Sequence, residues 1–215
     1  MSVGGFTLEI DPAAEYLINI ECKVSVREGS NATLEKVKNV TYVKYEMETM
    51  KIQFNSDDIG KQVNYAYNFS IKANNNITLD MKSRIKSIGD ISINADSTIN
   101  ITGLGLLTKE GSISLKLAHS HLSHVSLIST STGNINIILQ NMSFSSLNSW
   151  EIETTSTGDV KLDLIDTNIP GINSMYQIFE VNCVVGDIYV ISKIHQDYGL
   201  KITTSISTGD VTIPG

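Results

Sequence analysis

Six segments of this 215-residue chain share one pattern, Gly-[Asp/Ser/Asn]-[Ile/Val]-x-[Ile/Leu/Val]. They begin at Gly89, Gly111, Gly133, Gly158, Gly186 and Gly209, at intervals of 22, 22, 25, 28 and 23 residues. Chance would supply roughly 0.2 such matches at this composition, so the repeat reports on architecture. Within each unit apolar and polar residues alternate, the signature of a strand with one buried face. The second position after each Gly is Ile91, Ile113, Ile135, Val160, Ile188 or Val211, and the fourth is Ile93, Leu115, Ile137, Leu162, Val190 or Ile213. A single unit cannot bury such a face, whereas stacked units bury it against the same column of their neighbours.

A second strand precedes each Gly: VSLISTST, WEIETTST, FEVNCVV and LKITTSIST lead into Gly133, Gly158, Gly186 and Gly209. The expected fold class is therefore all-β: a single-stranded, β-helix-like β-solenoid with coils of 22–28 residues. The six glycines serve as structural turns, with the following Asp, Asn or Ser bonding locally to the backbone. Residues 63–215 form the solenoid and 1–62 an N-terminal antiparallel β cap, all in one elongated domain. The cap strands are EYLINIECKVSV and NVTYVKYEMETMKIQF, covering an edge that would otherwise template aggregation. Pro214 is placed on the last strand, where its missing N–H blunts the far edge.

Composition agrees. Ile occurs 29 times, and Ser, Thr and Asn together 61 times. Such β-branched abundance favours strands over helices. The net charge of -7 leaves no basic stripe to displace counterions from phosphates, which argues against a nucleic-acid partner. No apolar run is long enough for a membrane span. Cys22 and Cys183 have no metal-type or redox spacing and are expected as buried thiols.

The Gly-Asp-[Val/Ile] units, with Ser-Thr-Gly-Asp at 156–159 and again at 207–210, resemble those of an adhesin family of bacteria and archaea. The lead-in YNFSIKANNNITLDMKSRIKSIGDISI is similar to that family's entry into its first Gly-Asp. The resemblance covers residues 63–215 and implies a β-solenoid at the cell surface, with no catalytic residues and no cofactor. The N-terminus shows no signal peptide, which leaves the cytoplasm open as the compartment.

Several residue groups are candidate sites. His119, His121 and His124 lie in one short segment, AHSHLSH, and His is the commonest transition-metal ligand. A column of Asp90, Asp159, Asp187 and Asp210, interrupted by Ser112 and Asn134, could gather Ca²⁺. Phe144, Trp150, Met175 and Tyr176 fall in or beside the longest turns and are the candidate ligand-binding rim for a surface glycan or a protein. Glu151 and Glu153 share a strand face, and paired carboxylates can hydrolyse glycosides. No nucleophile motif or phosphate loop accompanies them. The leading expectation is a non-catalytic binding or adhesin-like protein. A self-assembling, bactofilin-like structural protein is the alternative, with homo-oligomers, and a glycan-active enzyme is the third reading.

Overall fold

The computed structural model describes residues 3–27, 35, 41–46, 49–54, 64–144, 149–167, 177–193 and 199–214. Their strands are β1 (Val3–Ile10), β2 (Ile18–Arg27), β3 (Thr41–Glu46), β4 (Thr49–Phe54), β5 (Asn64–Ala73), β6 (Thr78–Ile88), β7 (Ile91–Ala95), β8 (Asn100–Glu110), β9 (Ile113–Ala118) and β10 (His121–Leu122). They continue with β11 (Val125–Thr132), β12 (Ile135–Gln140), β13 (Ser143–Phe144), β14 (Ser149–Thr157), β15 (Val160–Ile165), β16 (Gln177–Val185), β17 (Ile188–Lys193), β18 (Leu200–Thr208) and β19 (Val211–Thr212). The protein is all-β, and its sheet is built mainly of parallel pairs.

Two long ladders account for most pairing. The repeat pattern itself supplies the first, in the order β7, β9, β12, β15, β17 and β19. The strands that precede each Gly supply the second, in the order β6, β8, β11, β14, β16 and β18. A short third ladder joins the start of β8 to β10 and β13. Register keeps like residues opposite one another: Ile137 faces Leu115 on one side and Leu162 on the other. The apolar columns meet in one continuous core, where Ile91, Ile113, Ile135, Val160 and Ile188 are at most 1% exposed. Ladder spacing near 4.8 Å makes each inward side chain touch its equivalents directly.

The corner between the ladders explains the Gly-Asx pair. Gly111, Gly133, Gly158, Gly186 and Gly209 have φ between 137° and 148°, a region closed to side-chain-bearing residues. Each also packs its Cα onto the carbonyl oxygen of the preceding row's Gly, so a Cβ has no room there. The next residue links the rows. Asp90 Oδ1 accepts from Ser112 N at 2.7 Å, Asn134 Oδ1 from Asp159 N at 2.9 Å, Asp159 Oδ1 from Asp187 N at 2.9 Å and Asp187 Oδ1 from Asp210 N at 2.9 Å. Ser112 Oγ takes the remaining step, from Asn134 N at 3.4 Å. Any side chain with an oxygen on its first or second carbon can do this, which is why Asp, Asn and Ser interchange at that position. Asn134→Ala removes one acceptor and is expected to cost about 1 kcal/mol, read as a lowered urea midpoint with an unchanged slope.

Inward threonines hold the same corner from inside. Thr108 and Thr130 donate Oγ1–H to the carbonyls of Gly89 and Gly111, each at 2.8 Å. Cys183 donates its Sγ–H to Gly158 O at 3.2 Å from the equivalent place. At the opposite end of the first ladder, His119, Asn141 and Asp166 turn the chain with φ of 55°, 48° and 47°. These are residue types that tolerate the left-handed region.

The amino-terminal region departs from an antiparallel cap. β1 is a parallel row of the first ladder: Phe6, Leu8 and Ile10 pair with Ile91, Ile93 and Ala95. Its corner follows the same rule, since Phe6 N donates to Asp90 O at 2.9 Å as Ile91 N does to Ser112 O. The other edge of β1 pairs in parallel with β5, and only then does β2 add an antiparallel edge strand. Thus chain order is broken, with β1 inserted between β5 and β7. β3 and β4 form a separate antiparallel pair. Pro214 lies beyond β19 rather than within it.

Candidate functional site

The side chains that point away from the core determine what the first ladder offers a partner. Across consecutive rows, Ser70, Thr7, Ser92, Ser114 and Asn136 stand opposite one another. The column continues through Lys161, Tyr189 and Thr212. Five short hydroxyl or amide side chains in register make a polar strip flanked by the Asx column. The second ladder carries a related outward feature: Thr155 donates to Ser131 Oγ at 3.1 Å, and Ser129 donates to Glu153 Oε1 at 2.9 Å.

The aromatic rim is corrected in half its members. Phe144 and Trp150 are 5% and 0% exposed and belong to the core. Trp150 lies against Phe179 with ring centroids 4.9 Å apart and meets Phe144 edge-on at 6.2 Å. Both point inward because Trp150 shares its column with Phe179 and Ile202. Length and hydrophobicity mark these residues equally for a rim or a core, and only strand register separates the two. Met175 and Tyr176 lie outside the described residues.

The histidines do not converge. His119 is an exposed corner residue with positive φ. His121 Nδ1 lies 2.8 Å from Ser143 Oγ across two rows of the short ladder, and the His124 carbonyl accepts from Leu104 N at 3.1 Å. Among the described residues no three His, Cys, Asp or Glu side chains gather in a way that could hold a metal ion. In the Asp column, one oxygen of Asp90, Asp159 and Asp187 is engaged by the next row's amide. The second oxygen of Asp187 accepts from Tyr189 Oη at 3.1 Å. That bond, the Asp187 charge and the nearby Asp159 and Asp210 carboxylates disfavour the phenolate and hold Tyr189 above the usual tyrosine range. Cys22 and Cys183 are both free thiols, and burial pushes the Cys22 thiol up.

Glu151 and Glu153 do lie on one outward strand face, with Glu180 opposite Glu151 in the next row. Glu153 is already committed to the Ser129 hydroxyl. The sequence reading missed two contributors altogether. One is β1, whose Gly4-Gly5-Phe6 replaces the expected Asx with Gly and the β-branched residue with Phe. The other is the inward Thr or Cys three residues before Gly111, Gly133 and Gly186, a spacing visible in the sequence once the corner is known. Compared with protein-family models, with curated proteins and with solved structures, the chain matches none.

Proposed function

We propose that the ladders are the faces of a single-stranded β-solenoid with 22–28-residue coils, and that the chain is a non-catalytic, adhesin-type binding module. The observation that carries this reading is the in-register outward column of Ser70, Thr7, Ser92, Ser114 and Asn136. A row of short hydroxyl and amide groups can donate to and accept from an extended ligand without first ordering long side chains. A surface glycan has the matching chemistry, being a chain of hydroxyls with a repeating rise. Support for the solenoid comes from the strict alternation of the two ladders along the sequence and from the glycine column that joins them.

Titration with a panel of neutral and acidic oligosaccharides tests the reading. Saturable binding is expected for at least one of them, and Ser92→Lys with Ser114→Lys should weaken it at least tenfold. Both positions face outward and are half-buried, so the melting temperature should stay within a few degrees. Binding that ignores both lysines would move the site off this face. No saturable binding across the panel would remove the glycan reading.

A further inference from the structure

The column of side chains that follows the corner glycines has a gap. Asp90, Ser112, Asn134, Asp159 and Asp187 each hold the amide of the next row. The row before Asp90 is β1, where Phe6 pairs with Ile91, so Gly5 takes the place opposite Asp90. Gly5 has no side chain to fill that place or to accept from Asp90 N–H. On its other edge Gly5 pairs with Asn68. The gap is a notch of about 390 Å³, within the roughly 300–1,000 Å³ of small-molecule sites.

Its lining is chemically mixed. Thr7, Ser70 and Ser92 bring hydroxyls, and all three belong to the polar strip. Asn68 brings an exposed amide. Asp90 commits one carboxylate oxygen to Ser112 N, which leaves the other for a ligand hydroxyl. In later rows the corresponding amide points at the Asx oxygen of the row before, so Asp90 N–H points into the gap. Phe6 and Ile88 add apolar lining. A pyranose ring is the complement, with hydroxyls that donate and accept around its rim and C–H groups on its faces. The Asp90 charge, in a chain of net charge -7, opposes a carboxylate in the same place.

We propose, resting on the glycan-binding reading above, that the notch is the selective subsite of the strip and seats one uncharged pyranose unit of a glycan laid across the rows. From β7 through β17 an Asx or Ser side chain occupies the equivalent place. The ring is therefore held at Gly5, which fixes where along the strip the glycan sits. The strip alone would accept the same chain at several registers, because its hydroxyls repeat from row to row.

Calorimetric titration with hexaoses of glucose, mannose and N-acetylglucosamine tests this. Gly5→Asn completes the column, since the new amide oxygen can take Asp90 N–H as Asn134 Oδ1 takes Asp159 N. The φ of Gly5 is not positive, and a Cβ there closely meets only the end of the exposed Asn68 side chain. The variant is expected to fold as the unmodified chain does and to bind the hexaose at least tenfold more weakly. The tightest hexaose, oxidised at C6 to its uronic acid, should also bind at least tenfold more weakly, and Asp90→Asn should narrow that gap. Ser114 lies on the strip but outside the notch, so Ser114→Lys separates the two readings. Binding weakened by Ser114→Lys but indifferent to Gly5→Asn would keep the strip and refute the subsite. Equal affinity for the oxidised hexaose refutes it as well. No binding of any hexaose removes the subsite together with the glycan reading. Should Gly5→Asn fail to fold, hydrogen exchange on the unmodified chain decides. The hexaose should slow exchange of the Asp90 amide, and an unchanged rate overturns the subsite.

Discussion

Ile137→Asp is expected to unfold the stacked ladders in a single cooperative transition. Ile137 is 0% exposed and sits between Leu115 and Leu162 in the middle of an inward column. Losing its burial costs about 1.5–3 kcal/mol. Placing a carboxylate there without a partner adds several more, so the total approaches the whole stability of a typical domain, about 5–15 kcal/mol. The control is Asn94→Asp, on an exposed position one residue from Ile93, with Lys116 opposite it in the next row. That change is expected within about 0.5 kcal/mol of the unmodified protein. Trp150, the only tryptophan and 0% exposed, reports the transition by fluorescence during urea denaturation. Equal tolerance at the two positions would falsify the inward–outward assignment, because a one-residue shift of register exchanges the faces.

Local periodicity explains which parts of this architecture the sequence reveals. The alternation at Ile135, Ile137 and Leu139 is contained in six residues, and the Gly before it marks where the strand begins. The burial of those positions then follows, as does the pairing of each strand with its equivalent one unit away. The Asp column was visible too, and so was its bonding to the backbone, but not that the bonds join one row to the next. As one-letter positions, stacked Asp159, Asp187 and Asp210 look like a cation site, whereas Asp159 and Asp187 each turn one carboxylate oxygen to the next row's amide.

What stayed hidden depends on contacts distant in sequence. β1 belongs to the first ladder, yet its partners β5 and β7 are separated from it by more than fifty residues and it lacks the Asx marker. Nothing in GGFTLEI distinguishes a parallel row from an antiparallel cap strand, since both alternate with period two. Two members of the aromatic rim, Phe144 and Trp150, failed for a related reason. Trp150 is the second residue of β14, so an error of one residue in the strand start moves it from core to surface. The polar strip at Ser70, Thr7, Ser92, Ser114 and Asn136 could not be assembled without β1, which supplies its second member. Candidate binding surfaces on stacked rows are properties of register, and register across non-neighbouring strands is the least local information in the fold.

Gly133→Ala carries the second large effect and isolates the corner. At φ 137° an L-alanine pays a backbone cost of about 1–3 kcal/mol. Its methyl group would also overlap the carbonyl oxygen of Gly111 in the preceding row. That row cannot retreat, because Gly111 N donates to Thr132 O at 2.7 Å and Thr130 Oγ1 holds the Gly111 carbonyl at 2.8 Å. The combined loss is expected to exceed about 3 kcal/mol, in the range reserved for special backbone positions and overpacking. Gly103→Ala is the informative comparison. Gly103 also lies in the sheet, but its φ is not positive, and its methyl would meet only the carboxylate of Asp80, an exposed side chain free to rotate away. A cost under about 1 kcal/mol is expected there. Urea midpoints for the two variants, taken with their slopes, separate the explanations. A large loss at Gly133 alone assigns the repeat's glycine to contact between rows. Equal losses would mean that a methyl is merely unwelcome anywhere in the ladders, and the stacked corner would no longer account for a Gly in every unit.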